Sequence, residues 1–250
     1  MQLLTYSIDM SKGLDNKLNL DRIKVLLKNY EPKRVIINEL SKIKLTLLVA
    51  PTAAGRNSVI NHLVELGDYH YIVSDTTRSP RRNNGELEKN GQVYWFKEEK
   101  DFLNSLRKGE YIEAAVIHGQ QASGINIAEL RRAKSAGKYA ITDIDFVGCD
   151  SIIRLSHNVI PVFLLPPSFE IWMKRLKGRG FLSEEELKRR LTSARKEFEY
   201  AINNNFLTYV INDNLQDTVH KIDSLVRYEK ILENQKTSKK LLKELLRNLN

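Results

Sequence analysis

The chain has 250 residues, which at about 150 residues per domain leaves room for one α/β domain with extensions rather than two full domains. A hydrophobic share of 42% beside 28% charged residues excludes wholesale disorder, and no apolar run approaches the roughly 20 residues needed to span a bilayer. The net charge of +9, from 40 basic and 31 acidic residues, suits a polyanionic ligand without choosing between a nucleotide, a nucleic acid and an acidic surface. A single cysteine, Cys149, permits no intrachain disulfide and points to the cytoplasm. The amino-terminal MQLLTYSIDMSKG lacks a basic segment followed by an apolar one, and Asp9, Asp15 and Asp21 argue against a transit peptide.

Residues 1–42 read as a partly helical extension, with Leu18, Ile23, Leu26 and Leu27 at helical spacing and Pro32 as a break. Lys44–Ala50 is a strand apolar enough to be covered on both faces. Strands are predicted next at Tyr69–Ser74, Gln92–Phe96 and Tyr111–Ile117, with a helix over Glu98–Lys108 closed by Gly109. A helix over Ile127–Ala136 is followed by strands at Lys138–Asp145 and Val159–Leu165. Ser168–Lys177 is helical, and Ser183 with Glu186 forms a capping box for a long helix. Leu207–Ile211 is the last strand, and a helix starts near Leu215. Ile222–Asn250 reads as helical and Lys-rich, with Leu241, Leu242, Leu245, Leu246 and Leu249 in one stripe. Such a stripe packs on its own domain or on a partner. The alternation predicts a parallel-rich sheet with helices on both faces.

A small-residue loop joins the first strand to a helix: Ala50, Pro51, Thr52, Ala53, Ala54, Gly55, Arg56, Asn57, Ser58. This order is where a phosphate loop belongs, because backbone N–H groups and the helix N-terminus then face phosphate oxygens. Against the pattern G-x-x-x-x-G-K-[ST], only Gly55 is kept; Ala50, Arg56 and Asn57 stand at the other defining positions. Arginine is longer and planar where lysine is a compact charge, and asparagine is a poorer Mg²⁺ ligand than a hydroxyl. Alanine at positions 50 and 53 penalises any positive-φ backbone.

Downstream stands an ordered series. It runs Ser74-Asp-Thr-Thr-Arg78-Ser-Pro-Arg81, Asn90-Gly-Gln-Val-Tyr94-Trp-Phe96, Glu110-Tyr-Ile-Glu113, His118-Gly119, Thr142-Asp143-Ile-Asp145 and Phe163-Leu-Leu-Pro-Pro-Ser168. It ends with Arg175-Leu-Lys-Gly-Arg179-Gly180, Lys188-Arg-Arg190-Leu and Ile211-Asn-Asp213. Over residues 43–226 this series resembles the guanylate kinase family. The resemblance implies a three-layer α/β P-loop kinase fold with a parallel core sheet. A small mixed-strand acceptor-binding insertion is expected over 74–125, a helical lid over 175–192, and a basic amphipathic helix over 227–250.

The resemblance also implies roles. Ser74, Arg78, Arg81 and Tyr94 would clamp the GMP phosphate, two guanidinium forks and two hydroxyls meeting a dianion. Glu113 would read the guanine N1–H and amino group, a donor pair adenine lacks. Asp143 and Asp145, two residues apart and so expected on one face of their strand, would serve base recognition or Mg²⁺ organisation. Arg56 would be the phosphate-loop cation. Arg175, Arg179 and Arg190 would stabilise charge on the transferring phosphoryl group. No direct metal ligand is singled out, and the histidines lack metal-ligand spacing.

The expected reaction is transfer of the ATP γ-phosphoryl group to GMP, with Mg²⁺ accompanying ATP. The alternative is a domain of this fold with impaired catalysis that binds GMP or a phosphorylated protein. A specific nucleic-acid ligand is not expected, and a protein partner would use the extension or the carboxy-terminal helix. Two departures lie on the acceptor side. Where the family reads N-Y-Y-G-[ST], this chain has Gln120-Gln121-Ala122-Ser123-Gly124, so Ala122 and Gly124 replace a tyrosine and a hydroxyl. The stretch between Arg81 and Asn90 carries an added Glu-Leu-Glu-Lys element.

Overall fold

The computed structural model describes residues 10–83, 85–178 and 183–249. In chain order, the elements begin with α1 (Met10–Leu27), α2 (Arg34–Leu40), β1 (Leu45–Val49), α3 (Arg56–Glu65) and β2 (Tyr69–Tyr71). Then come β3 (Asp75–Thr76), β4 (Arg82–Asn83), β5 (Glu86–Leu87), β6 (Trp95–Phe96), α4 (Glu99–Arg107), β7 (Tyr111–Ile117) and β8 (Gln121–Asn126). The remainder is α5 (Ile127–Ser135), β9 (Tyr139–Asp143), α6 (Phe146–Ile153), β10 (Val159–Leu165), α7 (Phe169–Lys177), α8 (Glu184–Asn203), β11 (Thr208–Ile211), α9 (Leu215–Tyr228) and α10 (Gln235–Arg247). The chain divides into two compact units, one of residues 1–38 and 73–129, the other of residues 39–72 and 130–250.

The second unit carries a five-stranded sheet in the order β11-β10-β1-β9-β2, with every pairing parallel. Central β1 is buried at every position, as its mainly apolar run requires, and Thr46 is buried with it. Leu48, Val162, Leu164 and Ile141 meet Val59, Ile60 and Leu63 of α3 and Val219, Ile222 and Val226 of α9 in one core cluster. Burial of each such aliphatic side chain stabilises the unit by about 1.5–3 kcal/mol. The sheet edge at β11 is closed by side chains: Gln235 accepts from the Tyr209 N–H at 2.8 Å and donates to its carbonyl at 2.9 Å, while Glu233 accepts from the Ile211 N–H. These contacts occupy backbone groups that would otherwise template another strand.

The first unit carries a four-stranded mixed sheet in the order β6-β3-β8-β7, and a two-stranded hairpin of β4 and β5. The extension is part of this unit. Helix α1 packs on α4, β7 and β8, and Ile23 is fully buried with Phe102, Leu103, Leu106, Tyr111 and Ala122. The Tyr30 hydroxyl both donates to the Tyr111 carbonyl at 2.6 Å and accepts from its N–H at 3.0 Å, filling a gap at the irregularity in β7.

Four expectations are corrected. The run Tyr69–Ser74 is cut short, because β2 ends at Tyr71 and the next strand, β3, begins only at Asp75, in the other sheet. Gln92–Phe96 shrinks to β6, since Gly91 turns back with its N–H on the Tyr94 carbonyl. Residues 222–250 are not one helix: Glu229 adopts φ 55° and ends α9, and the Asn234 side chain caps α10. Asp143 and Asp145 do not share a strand face, because β9 stops at Asp143 and Asp145 accepts from the Gly148 N–H as the cap of α6. Half of the predicted capping box opens α8: the Ser183 hydroxyl accepts from the Glu186 N–H, while the Glu186 carboxylate turns to Arg189 and Arg190.

Candidate active site

In the second unit the loop after β1 leads directly into α3. Gly55 caps α3 at φ 102°, and a Cβ there would lie 2.3 Å from Asn212 Nδ2. Ala53 also adopts positive φ, 68°, so the expected penalty is present at a cost of about 1 kcal/mol. Three hydrogen bonds brace the loop. Trp172 Nε1 donates to the Thr52 carbonyl at 2.8 Å, Asn212 Nδ2 donates to the Ala54 carbonyl at 2.8 Å, and Ala54 N–H donates to the Pro51 carbonyl at 3.1 Å. Asn212 is itself held by Thr218, whose hydroxyl donates to its Oδ1.

The loop cation reaches sideways. Arg56 Nη1 donates to the carbonyl of Ile144, just beyond the end of β9, at 3.3 Å. Asn57 and Ser58 are exposed, while Pro51 and Ala54 are buried. Beside the loop lies a cavity of about 780 Å³ lined by Ala53, Gly55, Ser58, Lys174, Arg175 and Asn212, large enough for a nucleoside. A second, of about 380 Å³, is lined by Thr52, Glu186, Arg189, Arg190 and Ser193.

Of the expected lid arginines, Arg175 donates to the Asn212 carbonyl at 2.9 Å, which ties α7 to the loop's brace. Arg190 Nε donates to Glu186 Oε1 at 2.7 Å, and Arg189 donates to the same carboxylate. These two guanidinium groups, Arg190 foremost, hold the Glu186 carboxyl below its usual range. Arg179 lies outside the described residues. Asp143 Oδ1 accepts from the Tyr71 hydroxyl at 2.8 Å.

The first unit gathers Ser74, Arg78, Arg81, Tyr94 and Glu113, whereas Asp143 and Asp145 belong to the second. Arg78 is the organising residue, with its guanidinium carbon 5.2 Å from the Tyr94 ring centre and 5.5 Å from that of Phe96. Its Nη1 donates to the Ser79 carbonyl and to Glu88 Oε2, both at 2.8 Å, and its Nη2 donates to Glu88 Oε1 at 3.3 Å. That end-on pair leaves the Nε edge of the guanidinium for a second anion. Arg81 contributes its backbone, giving its N–H to Glu88 Oε2 at 2.8 Å and taking the Glu88 N–H on its carbonyl. Arg78 foremost, then the Arg81 N–H, hold the Glu88 carboxyl below the usual range. A cavity of about 670 Å³ beside Arg78 is lined by Thr77, Phe96, Lys97, Glu99 and Lys100 as well. Ser74 sits between β2 and β3, its carbonyl accepting from the Trp95 N–H at 2.9 Å, and Glu113 is half-buried on β7.

Sequence reasoning missed Glu88. It belongs to the added element noted after Arg81, and the signal was an acid seven residues past an arginine across a Gly85 turn. The departures at 122 and 124 are built into the packing. Ala122 is fully buried against Ile23 and Phe102. A Cβ at Gly124 would meet the Glu113 carbonyl at 2.6 Å. The Ser123 hydroxyl between them donates to the Asp75 carbonyl at 2.8 Å.

Among the described residues no helix is long and apolar enough to cross a membrane, and no group of three or more His, Cys, Asp or Glu is placed to hold a metal ion. Cys149 is buried, which pushes its thiol up to about 12.

Comparison with known proteins gives a consistent result. A sequence model described as guanylate kinase matches residues 42–229. The guanylate kinase of Corynebacterium efficiens is 34% identical over 185 residues, covering 73% of this chain and 94% of that protein. The Rickettsia prowazekii guanylate kinase is 32% identical over 74% of this chain and 91% of its own length. Among solved structures, the guanylate kinase from Anaplasma phagocytophilum aligns with a TM-score of 0.55 and 25% identity, over 82% of this chain and 94% of that one. With its parallel core sheet and its braced loop after β1, and on this match over most of its length, the chain belongs to the guanylate kinase family.

Proposed function

We propose that the chain transfers the γ-phosphoryl group of ATP to GMP, giving ADP and GDP. The observation that carries this reading is the preorganised Arg78, held end-on by Glu88 with its Nε edge left for a phosphate. On the donor side, the support is the braced loop and the adjoining cavity, which offers Lys174 and Arg175 to a polyphosphate. Phosphoryl transfer is mostly positioning plus electrostatics, so Arg56, Arg175 and Arg190 would carry much of the rate by offsetting charge on the transferring group. Arg179 is assigned the same role from its place in the motif alone. Ser74, Arg81 and Tyr94 complete the phosphate clamp, and Glu113 reads the guanine edge. Asp143 and Asp145 stand at the carboxy end of β9, where α/β sheets place ligands. Mg²⁺ would enter with ATP and neutralise phosphate charge, and the oxygens of Asn57 and Asp143 are the donor types that fit it.

The second reading, a binding module of impaired catalysis, is favoured by Arg56, which stands where the loop pattern has a lysine and turns one N–H to the Ile144 carbonyl. Coupled ADP release from ATP, Mg²⁺ and GMP separates the two. Turnover that requires GMP and falls in Arg78→Lys supports the enzyme. GMP binding without turnover supports the module, and neither binding nor turnover rejects both. We place the protein in the cytoplasm on its single, buried cysteine.

A further inference from the structure

Strand β7 changes face partway along. Tyr111 pairs with Asn126 of β8 and Glu113 pairs with Ile125, so β7 carries one extra residue at this point, a β-bulge. The side chains follow the offset. Tyr111 stacks on Phe102 with 4.4 Å between ring centres, inside the cluster that also holds Ile23 and Ala122. Beyond the bulge it is Ala114 and Val116, not Glu113, that pack on this cluster. In an unbroken strand Tyr111 and Glu113 would share a face, and the Glu113 carboxylate would enter the apolar cluster at a heavy desolvation cost. The bulge turns it to the opposite face. Along that face the register runs from Ala115 through Ser123 and Thr76 to Phe96, whose ring lies against Arg78. The offset therefore brings Glu113 to the side of the sheet that carries Arg78.

Two contacts hold Tyr111 at the offset. Its hydroxyl donates to Asp75 Oδ2 at 2.8 Å, on the strand that leads to Arg78. Its N–H and carbonyl both meet the Tyr30 hydroxyl, at 3.0 and 2.6 Å. Burial pushes that hydroxyl up to about 12, so at neutral pH it keeps its proton and serves as donor and acceptor together. β7 is an edge strand, paired with β8 alone, and the clasp adds a constraint that a second neighbouring strand would otherwise supply. Tyr30 stands in the amino-terminal extension, ahead of the loop after β1 and of every motif in the series.

We propose that Tyr30 is a positioning residue for acceptor recognition: its hydroxyl locks the bulge at Tyr111 and so aims Glu113 at the guanine edge of the acceptor nucleotide. This inference rests on the reading of Glu113 as the group that meets the guanine N1–H and amino group. Tyr30 does not touch the nucleotide. It acts through the backbone of β7, which makes the extension part of the acceptor site's framework.

The test is calorimetric binding of GMP and of inosine monophosphate, which lacks the 2-amino group, to the full chain. Tyr30→Phe keeps the ring in its packing and removes only the hydroxyl. It should weaken GMP about fivefold, the scale of one displaced hydrogen bond, and inosine monophosphate less, so that the preference for GMP shrinks. In a Glu113→Gln background the same change should alter GMP affinity less than about twofold, as residues acting through one another require. Mg·ATP affinity should stay unchanged, and a matching loss there overturns the proposal as a general loosening of the chain. An unaltered GMP preference in Tyr30→Phe overturns it too, whether or not the melting temperature falls, and so does an equal loss in both backgrounds. If Glu113→Gln alone binds GMP as tightly as wild type, the guanine reading of Glu113 fails and this inference with it; a chain that binds no GMP rejects both. GMP recognition that depends on Tyr30, without turnover, rejects the phosphotransferase reading and keeps this one.

Discussion

The Arg78 cluster of the first unit and the loop after β1 of the second preserve different things. The cluster keeps its side chains: Arg78 pairs with Glu88 and lies against the rings of Tyr94 and Phe96, with only 11% of its side chain exposed. The loop keeps its backbone. Gly55 and Ala53 both take positive φ, and Trp172 and Asn212 hold the carbonyls, although three of the four defining side chains differ. A backbone path survives side-chain exchange when buried neighbours brace it, because the oriented N–H groups belong to every residue type. A guanidinium clamp has no such substitute.

Several measurements would break or sharpen that comparison. The largest effect is expected at Ile23. Ile23→Ala should destabilise the chain by about 2–5 kcal/mol in urea unfolding, since it opens a cavity beneath Ala122 and Phe102. A loss under about 0.5 kcal/mol would detach the extension from the first unit.

Glu197 gives a pH-dependent effect. Its folded carboxyl titrates about 7, above the ordinary carboxylate value of 4.5, so the folded state holds a proton that the unfolded state has lost. That favours the unfolded state increasingly as pH rises from about 4.5 to 7. The stability gained by Glu197→Gln over wild type should therefore grow across this window, by up to about 3 kcal/mol. A difference that stays flat with pH would remove Glu197 from the buried titrating groups.

Arg78→Lys keeps the charge but loses the fork, and should weaken GMP binding by about 2 kcal/mol, roughly 30-fold, by calorimetry. Unchanged affinity would place the phosphate elsewhere. The smallest effect is at the loop. Ala53→Gly should raise stability by about 1 kcal/mol by relieving the positive φ, visible as a higher denaturation midpoint. A destabilised Ala53→Gly would mean that the loop's path does not depend on that residue's strain.

Much of this was legible in the residues. The buried run of β1, the Ser183 cap of α8 and the arginine-bearing motif were visible because each depends on neighbours within a few positions. Glu88 was not, since nothing local tells an exposed hairpin acid from one that pairs back to Arg78. Asp145 was misread for a related reason: strand alternation was extended past Asp143, where the chain already turns into α6.

By itself, then, the order of residues determined the alternating strands and helices, the loop after β1 and the membership of the family, all of which follow from periodicity, turn chemistry and short motifs. Tertiary structure alone decided that the extension belongs to the first unit through Ile23 and the Tyr30–Tyr111 pair, 81 residues apart. It also decided that Ala122 lies in a core and that Arg56 reaches Ile144, 88 residues away. Such contacts form wherever packing brings distant segments within hydrogen-bond reach, and no spacing along the chain encodes them.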